Sequence, residues 1–166
     1  MTTLAQQALA SAQQKAMAGG HPEVNGLHVL SALLEDRSGT ARSIMERAGV
    51  NAQQIQTIAE SELKRLPTTS SGAGSGGRAI MEILSKADAI SKEMKDSYIT
   101  GEHLLIALAE VKGPAQEILD VNAATPKVLR EAVSQIREAS GVSNINDQNA
   151  EGLSLIHISE PTRPSQ

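Results

Sequence analysis

The chain has 166 residues with a formal net charge of −4, and 40% of them are hydrophobic, which suits one domain with an ordinary core. It contains no cysteine, which excludes disulfides, cysteine-based zinc sites and thiol nucleophiles. The acidic balance and the single aromatic residue, Tyr98, argue against nucleic-acid binding, and no apolar run of membrane-spanning length or secretory signal is present, so we expect a cytoplasmic protein.

The first 66 residues predict four helices, because apolar residues recur there at helical spacing and no strand pattern intervenes. Asn25 and Asn51 are the predicted N-caps of the second and fourth helices. Gly49 is the predicted left-handed residue that ends the third helix. The apolar stripes of the four helices contain Leu4, Ala8, Ala12 and Ala16; Leu27, Leu30 and Leu34; Ala41, Ile44 and Met45; and Ile55, Ile58 and Leu63.

Residues 67–77, PTTSSGAGSGG, predict a flexible linker, since glycine, serine and threonine bury little apolar surface. The segment lacks the pattern G-x-x-x-x-G-K-[ST] and follows no apolar strand, so it does not predict a phosphate-binding loop. We therefore expect no ATP hydrolysis by this chain alone.

Residues 78–140 predict four more helices. Thr100 caps the second of them, Pro114 suits the first position of the third, and Thr125-Pro126 opens the fourth. The apolar stripes contain Ile80, Ile83, Ala87 and Ile90; Leu104, Leu105 and Leu108; Ala115, Ile118 and Leu119; and Val128, Leu129, Val133 and Ile136.

The two blocks are internal repeats. Residues 25–35 align with residues 100–110 at an offset of 75, and the pairs Gly26/Gly101, His28/His103, Leu30/Leu105, Ala32/Ala107, Leu33/Leu108 and Glu35/Glu110 are identical. After a one-residue deletion the offset becomes 74. The prediction is an all-α domain over residues 1–140, in which two four-helix repeats (1–66 and 78–140) pack with pseudo-two-fold symmetry.

Two segments follow the predicted domain. Residues 141–152 are polar and aperiodic and predict an exit linker. Residues 153–166, LSLIHISEPTRPSQ, resemble the translation of a sequencing adapter, so we expect a non-native tail, with a disordered natural tail as the alternative.

The histidines give little support for a metal site. His28 and His103 each lie in the first turn of a predicted helix, and neither has a second ligand four residues away. We therefore expect structural roles at the interface between the repeats and no metal. A small metal- or phosphate-dependent enzyme built on this pair is the alternative that this pattern disfavours. The charged side chains of the last helix, including Arg130 and Arg137, are interpreted as solvated surface.

Residues 95–104 join two predicted helices. A helical wheel places Glu102 about 130° from the centre of the leucine stripe, which predicts that its side chain points outward. Two interpretations remain open. Glu102 either complements the positive start of the helix dipole, or it forms an acidic rim beside an exposed apolar pair, Tyr98 and Ile99.

The duplicated unit with its H-(L/V)-L-x-A-L core resembles the Clp amino-terminal repeat domain family over residues 1–151. The linker after Leu66-Pro67, the run D-x-Y-I-T-x-E-H-L at 96–104 and the segment N-D-Q-N-A-E at 146–151 are similar to its disaggregase branch. The aromatic residue usual near the start of the first helix is missing, and Leu4 and Ala5 stand there instead.

This resemblance implies a module that binds unfolded or aggregated polypeptide and passes it to a hexameric ATPase ring. That ring would belong to a longer protein, which would hold ATP and Mg²⁺ and work with a cooperating chaperone system. The exit linker at 141–152 would lead towards that ATPase module, which is absent here. The family positions that match are Asp96, Glu102 and, more weakly, Thr2. Tyr98 and Ile99 are our own candidates for the apolar side of that site. Alone, the chain is expected to be monomeric. The alternative is a docking domain for an adaptor, as in the protease-associated branch of the family.

Overall fold

The computed structural model describes residues 1–36, 39–68 and 77–141, and over these ranges the protein is all-α. Most of the predicted linker at 67–77, the exit linker after Gly141 and the tail at 153–166 lie outside the described residues. No described helix is both long and apolar enough to cross a membrane. The helices are α1 (Thr3–Ala18), α2 (Gly26–Glu35), α3 (Thr40–Ala48), α4 (Ala52–Lys64), α5 (Arg78–Glu93), α6 (Gly101–Glu110), α7 (Pro114–Val121) and α8 (Pro126–Ser140).

The predicted helix boundaries are confirmed where local chemistry sets them. The side chains of Asn25, Asn51, Thr100 and Thr125 each accept a hydrogen bond from a backbone N–H in the first turn of the helix they cap. Gly49 ends α3 in the left-handed region, at φ 78°. Short-range signals therefore fix where these helices begin and end.

Helices α2 and α6 form the centre of the domain. Every residue of Gly26–Leu34 and of Gly101–Ala109 is buried. Helix α6 packs against six other helices, namely α1, α2, α3, α5, α7 and α8. A helix enclosed in this way has no solvent face, so each polar residue on it needs a partner inside the protein.

The two repeats pack with the predicted pseudo-two-fold symmetry. Helix α1 packs on α2 as α5 packs on α6, and across the repeats α3 packs on α8 as α7 packs on α4. The left-handed residues match as well: Gly20 (φ 70°) corresponds to Lys95 (φ 61°), and Gly49 (φ 78°) corresponds to Ala123 (φ 66°). The prediction of two four-helix repeats in one all-α domain is confirmed.

His21 and His28 form a hydrogen-bonded pair at the α1–α2 corner, where the end of α1 meets the start of α2. The Asn25 N–H donates to His28 Nδ1 over 2.9 Å, so His28 carries its proton on Nε2 and donates it to His21 Nδ1 over 2.8 Å. Both rings are buried. Burial, with a smaller contribution from His21, lowers the pKa of His28 to about 4. The neutral imidazole is the form that this corner requires.

We predict that this corner destabilises the domain in acid. Since the pKa of His28 falls from 6.5 to about 4 on folding, its contribution is complete above pH 6.5 and is lost as the pH falls towards 4. The loss amounts to about 3 kcal/mol at most. In His28→Gln the amide keeps the acceptor for the Asn25 N–H but does not titrate.

Urea denaturation at a series of pH values between 7 and 4 measures the effect. The free energy of unfolding of the wild type should fall more steeply than that of His28→Gln across this range. Parallel curves for the two proteins would show that His28 is not the group responsible.

Candidate functional site

The α5–α6 loop (residues 95–100) is the segment in which sequence analysis placed most of its site residues. It starts at Lys95, in the left-handed region, and the Asp96 N–H then donates to Ser91 O over 2.9 Å. It ends at Thr100, whose hydroxyl accepts the Glu102 N–H over 3.1 Å. The loop is therefore fastened to the helix on each side of it.

His103 bridges the two ends of this loop. Its Nδ1 accepts the Thr100 N–H over 2.8 Å, so its Nε2 carries the proton and donates it to Asp96 Oδ2 over 2.7 Å. His28 makes the same capping contact in the first repeat, where His21 stands in the place of Asp96. Both histidines thus have a structural role, but the predicted place at the repeat interface is wrong, because each one bonds only within its own repeat.

Arg137 of α8 reaches the same point from the other side. Its Nη1 donates to Asp96 Oδ1 over 3.1 Å and its Nη2 to Asp96 Oδ2 over 2.9 Å, and Nη2 also donates to Glu102 Oε1. The side chains of Arg137, Asp96 and Glu102 are 8%, 0% and 1% exposed. We call Asp96, Glu102, His103 and Arg137 the buried ion cluster.

The electrostatics of this cluster are set by burial. Burial raises the pKa of Glu102, against the opposing effect of Arg137. The Oε2 atom of Glu102 has no hydrogen-bond partner among the described residues. Burial alone would lower the pKa of Arg137, but its bonds to Asp96 and Glu102 raise that pKa above the ordinary value. Arg137 is thus a fixed positive charge in the interior.

The cluster also contains possible metal ligands. Ligand atoms of Asp96, Glu102 and His103 lie within 4.8 Å of one another. The guanidinium of Arg137 bonds both carboxylates, so the positive charge that such a group of ligands would attract is already supplied by the protein. The arrangement favours an internal ion cluster over a metal site.

Two predictions about side-chain orientation are wrong. Glu102 does not point outward, because α6 is enclosed on all sides and the leucine stripe does not mark its only buried face. Arg137 is not solvated surface, and two signals could have shown this. It follows Leu129 and Val133 at i+4 spacing on the buried face of α8, and it aligns with apolar Leu63 at the offset of 74.

The remaining site residues are Thr2, which lies beside the loop, and Tyr98 and Ile99, which lie in it. Thr2 is buried, its N–H donates to Ile99 O over 2.9 Å and its hydroxyl accepts the Ala5 N–H, so it joins the start of α1 to the loop. Tyr98 and Ile99 are half-buried. The structure therefore brings the five predicted residues together, with Asp96, Glu102 and Thr2 buried and Tyr98 and Ile99 closer to the surface. Their role in binding stays a prediction.

An open groove that sequence analysis missed lies next to this region. The α1–α3 groove has a volume of about 330 Å³ and runs between α1, the end of α2 and the start of α3, up to Gly101. Leu4, at its edge, is 43% exposed. The lining residues are Leu4, Gln7, Ala8, Ser11, Ala32, Leu33, Glu35, Asp36, Gly39, Thr40, Ala41 and Gly101.

The counterpart of this groove in the second repeat is divided in two. Glu82, Lys86 and Val111, the counterparts of Gln7, Ser11 and Asp36, line a shallow depression of about 430 Å³, and beside it lies a small hollow. Its volume is about 100 Å³, and it lies against Gly26, the counterpart of Gly101. Ile83 stands there in the place of Ala8, and its Cδ1 lies 3.5 Å from where a Cβ on Gly26 would be. An isoleucine side chain thus occupies, beside Gly26, part of the space that is open beside Gly101 in the first repeat.

We predict that Arg137→Met costs about 3–5 kcal/mol of stability, because it strands two buried carboxylates without their counter-charge. The matched control is Arg130→Met on the same helix. Arg130 pairs with carboxylates on α5 and α6, but its side chain is 34% exposed, so the expected loss is about 1 kcal/mol or less. Urea denaturation measures both values, and equal losses would contradict the special role of the cluster.

Comparison with known proteins identifies the family. The model of the Clp repeat (R) N-terminal domain matches residues 1–122. The chain is 35% identical over 152 residues to the chaperone protein ClpB of Rhodopirellula baltica, covering 91% of the chain and 17% of the relative. It is 34% identical over 145 residues to ClpB of Mycobacterium leprae, covering 86% of the chain and 17% of the relative.

Solved structures show the same fold. The Hsp104 N-terminal domain from Candida albicans matches with a TM-score of 0.75 and 20% identity, covering 89% of this chain and 96% of that one. The N-terminal domain of the ClpV1 ATPase from E. coli EAEC Sci1 T6SS matches with a TM-score of 0.70 and 20% identity, covering 92% and 91%. With a family match over most of its residues, the chain belongs to the Clp repeat (R) N-terminal domain family.

Proposed function

We propose that this chain is the client-binding domain of a ClpB-type, ATP-dependent disaggregase. The similarity to ClpB chaperones supports this, and the chain spans about 17% of the length of those relatives. In the proposal, the domain binds unfolded or aggregated polypeptide in the cytoplasm. The rest of a longer protein supplies the hexameric ring with ATP and Mg²⁺, working with a partner chaperone system.

The open α1–α3 groove is the observation that carries the proposal. In the second repeat, the part of its counterpart beside Gly26 is occupied by Ile83 from the same chain, at a hollow that Leu108 and Ala115 also line. The equivalent wall positions in the first repeat are Gly101, Leu33 and Ala41. Ile83 therefore indicates what the open groove accepts, namely one branched aliphatic side chain. In the first repeat this side chain would come from a client rather than from α1.

The charges on the lining refine the class of client. Among the described residues, Glu35 and Asp36 line the groove and no lysine or arginine does. Lys15, one turn beyond the groove on α1, pairs with Glu35. A segment with a lysine or arginine next to its aliphatic residue complements this lining. One side chain in a shallow groove gives weak, sequence-tolerant binding, which suits a receptor for many unfolded proteins.

Some of the residues predicted from the sequence lie near the surface, and others are buried beneath it. Gly101, which lines the groove, follows Ile99 by two residues, and Thr2 bonds Ile99 O, so in the proposal Tyr98 and Ile99 extend the apolar surface beyond this end of the groove. Asp96 and Glu102 lie beneath that surface rather than on it. In the proposal, Tyr98 and Ile99 contact the client and Thr2 holds the edge of the groove in place.

We predict that Ala8→Ile weakens client binding about tenfold, because the new side chain occupies the groove as Ile83 occupies part of its counterpart. The probe is a fluorescent peptide with a central isoleucine flanked by arginines, and fluorescence anisotropy measures its dissociation constant. A permanently unfolded protein, reduced and alkylated, serves as a competitor for the same groove.

Ala10→Ile provides the matched control. It makes the same substitution on the exposed face of α1, away from the groove, and should leave the dissociation constant unchanged. If the peptide binds Ala8→Ile as tightly as it binds the wild type, the groove is not the client site.

A further inference from the structure

We infer that Arg137 is a positioning residue for client binding. From α8 it holds the α5–α6 loop, and through that loop it holds the edge of the α1–α3 groove. The inference rests on the proposed function for what binds at the groove. It also assigns Asp96 and Glu102 a role different from the one the family resemblance implies, because in this protein they act through Arg137.

Arg137 holds the loop at both ends. Asp96 is the second residue of the loop and receives two bonds from the guanidinium. Glu102 comes two residues after the loop ends and receives a third bond. One planar side chain from another helix therefore fixes the separation of the two ends, which a single-point cation such as lysine cannot do in the same way.

The loop in turn holds the groove. The Thr2 N–H donates to Ile99 O over 2.9 Å, which ties the first turn of α1, and thus Leu4 at the edge of the groove, to the loop. Gly101, the residue that directly follows the loop, lines the groove. A shift of the loop therefore displaces two parts of the groove wall together with Tyr98 and Ile99.

The two carboxylates are too deeply buried to touch a client. The side chains of Asp96 and Glu102 are 0% and 1% exposed, and both are bonded to Arg137. Any effect of these residues on binding must reach the surface through the position of the loop.

The first repeat shows that the charges are not needed for the fold. The positions equivalent to Asp96, Glu102 and Arg137 hold His21, Leu27 and Leu63, all of them buried. The first repeat therefore folds with uncharged residues at these positions. The triple variant Asp96→His/Glu102→Leu/Arg137→Leu introduces the same residues into the second repeat.

The position of the loop can be read directly. Tyr98 is the only aromatic residue among tyrosine, tryptophan and phenylalanine in the chain, so the intrinsic fluorescence of the protein comes from the loop alone. Quenching of this fluorescence by acrylamide measures how accessible Tyr98 is. A merely structural role for Arg137 would lower stability without changing this quenching in the folded protein.

The first test is Arg137→Lys, which keeps the charge but not the fork of donors. We expect the dissociation constant of the isoleucine–arginine peptide to rise about fivefold and the quenching of Tyr98 to increase, in a protein that remains fully folded by circular dichroism. Arg130→Lys is the control on the same helix. Arg130 bonds Glu93 and Glu110 and no residue of the loop, so this substitution should change neither value. Wild-type quenching and affinity in Arg137→Lys would overturn the inference.

The triple variant separates positioning from direct contact. If acrylamide quenching of Tyr98 in the triple variant stays at the wild-type value, the inference requires that the peptide still binds. If this quenching rises, the inference requires that peptide binding weakens as well. Lost binding with wild-type quenching would mean that the carboxylates contact the client, and retained binding with raised quenching would mean that the loop does not matter. Either result overturns the inference. Failure of the wild type to bind the peptide would instead refute the proposed function, and the quenching data would still test how Arg137 holds the loop.

Discussion

The enclosure of α2 and α6 is the constraint on which the rest of the domain depends. A helix with neighbours on every side cannot send its polar groups to water, so each must be satisfied within the protein. Both helices begin with the same device, in which a histidine in the first turn caps the backbone through Nδ1. The Nε2 proton is then directed inward, and the residue seven positions earlier receives it.

The two repeats meet this constraint with different chemistry. The first repeat uses a neutral histidine pair and leaves the neighbouring positions apolar. The second repeat uses a carboxylate and extends it into an ion cluster with Arg137. Buried charges of this kind cost desolvation energy and are weak evidence for stability, and the first repeat does without them at the equivalent positions.

Most of the fold could be predicted because local signals set it. Asn25, Asn51 and Thr100 cap their helices through their own side chains, and Gly49 ends a helix by its own backbone freedom. The repeat followed from identities between residues 25–35 and 100–110, which need no knowledge of packing. Such features depend on residues only a few positions apart.

The site could be predicted only in part, because it depends on distant residues. Glu102 is bonded to a partner 35 positions away, and a wheel drawn for one helix takes no account of the six that surround it. The α1–α3 groove is open space between three helices, where Ala8 stands in the place that Ile83 takes in the second repeat. Sequence reasoning therefore placed Glu102 at the surface, whereas the structure buries it.

The crossed packing of the repeats has a consequence for the origin of the domain. Because α3 packs on α8 and α4 packs on α7, the surface that each repeat covers is supplied by the other. Two separate copies of a single ancestral repeat would meet through the same surfaces as an isologous homodimer. Gene fusion would then have replaced a concentration-dependent association by an intramolecular one, and freed each half to evolve separately. One open groove and one groove narrowed by Ile83 are what such a former dimer can have, and what a true symmetric dimer cannot.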